Sequence, residues 1–338
     1  MILVTGGTGI VGAHVLFVLV NSGLDIRALQ RESSSTQAVK DLFKFYSPNG
    51  KTLYEKIEWV VGDILDTPSL EEAMKGCSEI FHCAALVSFS ASDYTKLLEV
   101  NAEGTANMVN AALASDITEF YYVSSVAAIG RSAKTQYISE ATEWEPSNEN
   151  SGYAVSKHNA EMEVWRGGEE GLKISIVNPT IVLGPGRTSH SSGTLFKAVS
   201  DGQKYYTEGE NGFIDARDVA FVLKRLYDEK LFSQRYILVG ENMSYKAVAD
   251  SMAEYLDTSK PTIKASKWAT GLVWRVLWLA SKFTGKAPVL TKESARSSHR
   301  IITYDNSKVR AELGITFHTV DQAVKNASAF FRSYPSHL

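Results

Sequence analysis

Apolar positions along this chain fall into short blocks separated by stretches with helical spacing. Ile2, Leu3 and Val4 form a run that suits a strand buried on both faces, and His14 to Val20 continue with apolar residues at helical intervals. The strand pattern recurs at Asp25–Gln30, Ile57–Val61, Glu79–His82, Phe120–Val123 and Leu172–Val177. Helical patterns lie between these blocks, through Leu70 to Met74, from Tyr94 to Ala114, and from Tyr153 onward after a polar loop at Asn148–Gly152. Such alternation predicts an α/β fold, a doubly wound parallel sheet. From about Gly184 the alternation loosens, and helices are expected near Ser244–Leu256, Trp268–Phe283 and Val320–Phe331.

Composition narrows the function classes. With 338 residues the chain can form one large domain or two ordinary ones, and 44% apolar with 22% charged residues is average for a globular protein. A net charge of −3 suggests neither a nucleic-acid-binding domain nor a polybasic membrane module. The two cysteines, Cys77 and Cys83, read as reduced thiols, and no metal site is expected from their number or from any H-E-x-x-H spacing. The first strand begins at Met1, which leaves no room for a signal peptide, and a cytoplasmic location is expected. Trp268 to Phe283 is interrupted by Arg275 and Lys282, so it falls short of the ~20 apolar residues that span a bilayer.

Candidate chemistry starts at the turn after the first strand. Gly6, Gly7, Gly9 and Gly12 stand between strand and helix, where a tight turn lets the backbone approach a pyrophosphate. Their spacing fits G-x-G-x-x-G from Gly7, or G-x-x-G-x-x-G from Gly6. At the end of the second strand an acid would hold the ribose of NAD, whereas arginine suits the 2′-phosphate of NADP. The chain has Arg31 there, followed by Ser33 to Ser35, which favours NADP and leaves NAD open, since Glu32 would repel a phosphate if it turned inward. Ala84 and Ala85 are small enough for a cofactor to lie against the end of the fourth strand, and His82 reads as structural. Asp63 can serve as a turn or N-cap residue before its helix. Asn101, in a core-facing helix, needs hydrogen-bond partners. Tyr153 and Lys157 are four apart and share a helix face. A lysine ammonium and an oxidised nicotinamide beside a phenol would both lower its pKa, so that Tyr153 could exchange a proton with a substrate oxygen.

The run Thr5-Gly6-Gly7-Thr8-Gly9-Ile10-Val11-Gly12, the Ser124-Ser125 strand end and Tyr153-x-x-x-Lys157 together resemble the extended branch of the short-chain dehydrogenase/reductase superfamily, the NAD-dependent epimerase/dehydratase family. Tyr122-Val123-Ser124-Ser125, Val177-Asn178-Pro179-Thr180, Leu183-Gly184-Pro185-Gly186, Tyr304-Asp305-Asn306-Ser307-Lys308 and Leu313-Gly314 look most like dihydroflavonol reductases and 3β-hydroxysteroid dehydrogenases. The resemblance implies a Rossmann-type nucleotide-binding domain over 1–184, with a returning segment near 213–240, and an interleaved, mostly helical substrate domain over 185–338. In the returning segment Asp218 is expected to cap the helix through Leu226. The resemblance further implies that Gly6, Thr8, Gly9, Ile10, Val11 and Gly12 hold the cofactor phosphates, and that Asp63 and Ile64 line an adenine pocket. By the same comparison Asn101 supports the active site from behind, and Ser125 polarises the substrate carbonyl. Lys157 holds the nicotinamide ribose, and Pro179 and Thr180 meet the nicotinamide end.

The activity this implies is hydride transfer between NAD(P) and a small molecule, most simply reduction of a ketone or aldehyde by NADPH. A nucleotide-sugar epimerase with tightly held NAD is the alternative, with Arg187, Arg217 and Arg235 as candidate diphosphate ligands. Sugar dehydratases place an acid–base pair where this chain has Val126 and Ala127. A non-catalytic NADP sensor would tend to lose the Tyr153–Lys157 pair. Trp268, Trp274, Leu277, Trp278 and Phe283 read as core, or as a wall facing a hydrophobic substrate. Shallow membrane attachment is a third reading, for which the segment lacks a basic face of its own. A homodimer is compatible with all of these.

Overall fold

The structure is a computed structural model describing residues 1–130, 137–147, 150–188, 192–284 and 290–338. Asn148, where the expected polar loop begins, and the Phe283 side chain lie outside the described residues. The first half runs β1 (Ile2–Thr5), α1 (Ile10–Asn21), β2 (Ile26–Gln30), α2 (Gln37–Tyr46), α3 (Gly50–Glu55), β3 (Glu58–Val61), α4 (Thr67–Met74), β4 (Glu79–His82), α5 (Tyr94–Leu97), α6 (Gly104–Leu113), β5 (Glu119–Val123), β6 (Tyr137–Ile138), α7 (Gly152–Glu169) and β7 (Lys173–Pro179). The expected helix from Tyr94 to Ala114 is interrupted between α5 and α6 by a wide π turn, Leu98–Glu103. That turn carries Asn101 inward.

The second half continues β8 (Ile181–Leu183), α8 (Gly193–Ser200), β9 (Tyr205–Tyr206), β10 (Glu210–Asp215), α9 (Ala216–Glu229), β11 (Gln234–Leu238), β12 (Glu241–Ser244), α10 (Tyr245–Tyr255), β13 (Ile263–Lys264), α11 (Lys267–Thr284), α12 (Lys292–Ser297), β14 (Thr303–Tyr304), α13 (Ser307–Leu313) and α14 (Val320–Ser333). Asp218 does not cap α9. Asp215 does, accepting from Arg217 N at 2.8 Å, while Asp218 lies buried in the first turn and receives His318 N and Nδ1 at 2.9 and 2.7 Å.

Seven strands form one sheet in the order β11-β7-β5-β4-β1-β2-β3, every pairing parallel. The order reverses direction at β1 and β4, so the crevice beyond their carboxyl ends is the topological switch point. Apolar residues of β1–β5 and β7 split between the faces. One face packs with α4, α6 and α7 through Leu70, Met108, Val109, Ala160 and Val164. The other packs with α1, α2 and α9, and with α10 and α14 from the far end of the chain. Phe45 of α2 meets Phe330 of α14 edge-on at 5.5 Å, so the two halves share a core.

Candidate active site

The glycine turn decides between its two spacings. Gly6 has φ +69°, and a Cβ there would lie 2.5 Å from Ala84 N. Gly9 is the N-cap of α1, and a Cβ on Gly12 would collide with the Gly6 carbonyl. Gly6, Gly9 and Gly12 therefore make the turn, while Gly7 packs against Leu16. Thr8, Ile10 and Val11 fill the first turn and are half-buried, with Ile10 against Gly186. Ala84, half-buried, and Ala85, exposed, follow β4 directly beside the turn, in register through Thr5 and His82.

This cradle fits a dinucleotide. The amide end of α1 faces the turn, a side chain at Gly6 or Gly12 would fill it, and two buried acceptors at strand ends, Gln30 Oε1 and Asn178 Oδ1, have no hydrogen-bond partner. Arg31 is exposed just past β2, as are Glu32, Ser33 and Ser35. Asp63 is a turn residue: its Oδ1 accepts from Leu65 N at 3.1 Å, whereas the N-cap position of α4 belongs to Asp66. Ile64 is buried against Gly104 and belongs to the core. Pro179 and Thr180 are buried at the end of β7, and the Thr180 hydroxyl donates to Leu238 O at 3.0 Å.

The catalytic candidates converge at the carboxyl ends of β5 and β7. Ser151 caps α7 by accepting from Ala154 N at 2.9 Å, which starts the helix so that Tyr153, Lys157 and Glu161 stack at four-residue intervals. Ser125 caps a short 3₁₀ turn, its hydroxyl accepting from Ala127 N at 3.2 Å, and stands close enough to the Tyr153 phenol to favour the phenolate form. Its neighbour Ser124 is buried and donates to Glu161 Oε2 at 2.5 Å. The pair of serines thus divides between two directions. Phe89 stands edge-on to the Tyr153 ring at 5.9 Å.

Lys157 is buried, donating to Tyr122 OH at 2.6 Å and Val123 O at 3.0 Å, with its Nζ 4.4 Å from the Tyr122 ring centre. Burial pushes it down to about 7, against the opposing pull of the Glu161 carboxylate. Protein groups alone hold the Tyr153 phenol above its usual value, because burial outweighs the effect of the Ser125 hydroxyl. The expectation that Lys157 depresses Tyr153 is therefore not met by the protein's own groups. Burial disfavours the ammonium, and its hydrogen bonds go to Tyr122 OH and Val123 O.

Two buried networks hold this geometry. Behind Lys157, the His82 ring stacks on Tyr122 at 5.5 Å between ring centres, its Nε2 meets the Thr105 hydroxyl at 3.1 Å, and its Nδ1 meets Thr5 Oγ1 at 2.6 Å below the glycine turn. His82 is structural, held down to about 3 by burial and then by Lys157. Behind Ser125, Asn178 Nδ2 donates to Ser125 O at 3.0 Å and to Glu161 Oε2 at 2.7 Å, and Arg235 pairs with Glu161 Oε1 at 3.2 Å. Asn101 accepts from Leu86 N at 2.7 Å and donates to Leu86 O and Ser156 Oγ, both at 2.9 Å, and Ser156 in turn donates to Tyr153 O. It clamps the segment after β4 to α7.

Sequence reasoning missed Glu161, Tyr122 and Thr105. Glu161 continues the Tyr153–Lys157 spacing by one more turn, which was the available signal. The three arginines do not assemble: Arg235 pairs with buried Glu161, Arg217 with Asp215, and only Arg187 stands exposed. Cys77 and Cys83 are free thiols.

The family model described as "NAD dependent epimerase/dehydratase family" matches residues 2–240. Among curated proteins, the "Putative dihydroflavonol 4-reductase" of Synechocystis sp. is 29% identical, covering 98% of this chain and 94% of its own. "Sterol demethylase protein B" of Methylococcus capsulatus is 26% identical over 98% of both. Among solved structures, the Bordetella bronchiseptica enzyme WbmH in complex with NAD+ superposes with a TM-score of 0.74 over 98% of both chains at 20% identity, a likeness of fold.

Proposed function

The chain belongs to the NAD dependent epimerase/dehydratase family and is an enzyme of the extended short-chain dehydrogenase/reductase type, and from that premise we propose that it is an NADPH-dependent reductase of a hydrophobic ketone or aldehyde. The observation that carries the reading is the convergence of the Ser125 hydroxyl and the Tyr153 phenol at the carboxyl end of β5, with Lys157 one helical turn deeper and donating to Val123 O. Bound in the glycine cradle, NADPH supplies a hydride to the carbonyl carbon. Ser125 donates a hydrogen bond to the oxygen as charge develops on it, and Tyr153 delivers the proton that completes the alcohol. Lys157 keeps one N–H for a ribose hydroxyl beyond its two protein partners. Asn101 and Glu161 touch none of these atoms and serve as positioning residues.

Arg31 and the serines after β2 supply the donors for a 2′-phosphate, and a charge-assisted hydrogen bond of about 1.5–3 kcal/mol corresponds to a roughly ten- to hundredfold preference. Phe89, 46% exposed beside Tyr153, favours an apolar substrate. The engaged arginines speak against a nucleotide-sugar diphosphate. A fluorescence titration of cofactor-stripped protein is expected to find NADPH bound more tightly than NADH. Arg31→Ala is expected to remove that preference while barely changing NADH affinity. Equal loss for both cofactors would make Arg31 structural. Tightly held NAD with turnover of a nucleotide sugar would replace the reductase reading with the epimerase one.

A further inference from the structure

Of the residues on helix α11 that the sequence reads most simply as core, Trp268 and Trp278 face solvent while Trp274 and Leu277 are half-buried. Trp268, Leu272, Val276 and Leu279 recur at intervals of three or four and form one stripe, with Trp268 78%, Val276 58% and Leu279 54% exposed. Val273 and Trp278 flank the stripe and are also about half exposed. The opposite side of the helix is the one held by the protein. Thr270 is buried with its hydroxyl 2.9 Å from His299 Nε2, and Trp274 and Leu277 are half-buried. A contiguous exposed stripe of this kind marks a contact surface.

Charge says what the contact is. From Lys260 to Lys292 the chain has seven basic residues and no acidic one, although the whole protein is net negative. Four of these, Lys260, Lys264, Lys267 and Arg275, are exposed, on α11 or in the eight residues before Trp268. Lys260 and Lys264 reach Glu254 and Glu208 at 3.1 and 2.6 Å, pairs exposed enough to exchange partners readily. The missing basic face of the isolated segment is thereby explained. The far side of α11 is occupied by the protein body, so the basic groups come from Arg275 on the helix, Lys267 at its start, and Lys260 and Lys264 before it.

We propose that α11 lies in the plane of an anionic lipid bilayer surface, with Trp268, Leu272, Val276 and Leu279 inserted to the depth of the headgroups and the surrounding Lys and Arg side chains against lipid phosphates. No helix among the described residues is long and apolar enough to cross a membrane, so the attachment is one-sided. Tryptophan suits the interfacial level, where its ring is partly wet. The surface is independent of the chemistry assigned to Tyr153.

The test is co-sedimentation of the full chain with phosphatidylcholine vesicles and with vesicles also containing phosphatidylglycerol, at low salt and at 0.5 M NaCl, where charges are screened beyond about 4–5 Å. Binding is expected to the anionic vesicles, at least tenfold weaker to the neutral ones, and reduced by salt. Trp268→Ser with Val276→Ser and Leu279→Ser is expected to abolish it, and Lys264→Gln with Lys267→Gln and Arg275→Gln to weaken it, with unchanged NADPH binding showing that both variants are folded. Failure to bind anionic vesicles overturns the proposal. So does a dimer in light scattering that the triple serine variant dissociates, which would make a second copy the occupant, or a raised KM as that variant's only effect, which would make the stripe a substrate wall.

Discussion

Tyr153 and Ser125 face each other at a spot where the protein's own groups disfavour phenolate, so the proton on Tyr153 is retained until substrate and cofactor arrive. Donation to a developing alkoxide suits a phenol in that state. Replacing Tyr153 by Phe is expected to lower turnover by ~10²-fold or more with cofactor affinity nearly unchanged. Steady-state kinetics beside a titration check this, and unchanged turnover would remove Tyr153 from the mechanism. Several single residues were legible in the sequence, since a glycine turn and a four-residue helical spacing are local patterns. Which serine faces the phenol was a matter of family spacing alone, because Ser124 and Ser125 are chemically identical. Their partners, Glu161 and Tyr153, lie on α7 beyond a long stretch of chain.

Helix α7 carries both halves of the site's support. Its face at Tyr153, Lys157 and Glu161 touches β5 and β7 together, and Glu161 joins Ser124, Asn178 and Arg235 in one buried cluster. Removing the carboxylate charge leaves the Arg235 guanidinium with backbone acceptors, Glu140 O and Thr142 O, but no counter-charge, at a cost of about 3 kcal/mol. Glu161→Gln is accordingly expected to lower the melting temperature and to reduce kcat more than it raises the KM for NADPH, because it releases the Ser125 backbone through Asn178. A variant that loses stability with kcat intact would make the cluster purely structural. The helix itself was readable from its pattern. The π turn at Leu98–Glu103 was not, since an added residue per turn leaves the apolar spacing almost unchanged over so short a run. The capping of α9 by Asp215 was misplaced onto Asp218 because both are acids at a helix start, and His318, which binds Asp218, is a distant residue.

At the scale of the molecule, two histidines among the described residues, His14 and His82, are buried and held neutral. Burial holds His14 down to about 4 and His82 to about 3, from an ordinary value of 6.5. Between those values and 6.5 the unfolded chain binds more protons than the folded one, so stability falls as pH is lowered through that window. Once the pH is below each folded value, the fall amounts to on the order of 3 kcal/mol for His14 and 5 kcal/mol for His82. Urea unfolding between pH 7 and pH 4 is expected to show this loss, with a shallower slope in His14→Gln. A flat profile would mean that the rings are protonated in the fold. By itself the sequence determined the α/β architecture, the nucleotide turn and the Tyr153–Lys157 pair, because each is written in residues close together along the chain. Tertiary structure alone decided that α14 returns to pack on α2, that Arg217 and Arg235 are spent on internal carboxylates, and that the apolar stripe of α11 faces outward. Those outcomes depend on which distant groups compete for the same partner or the same buried area, and periodicity along one segment carries no record of that competition.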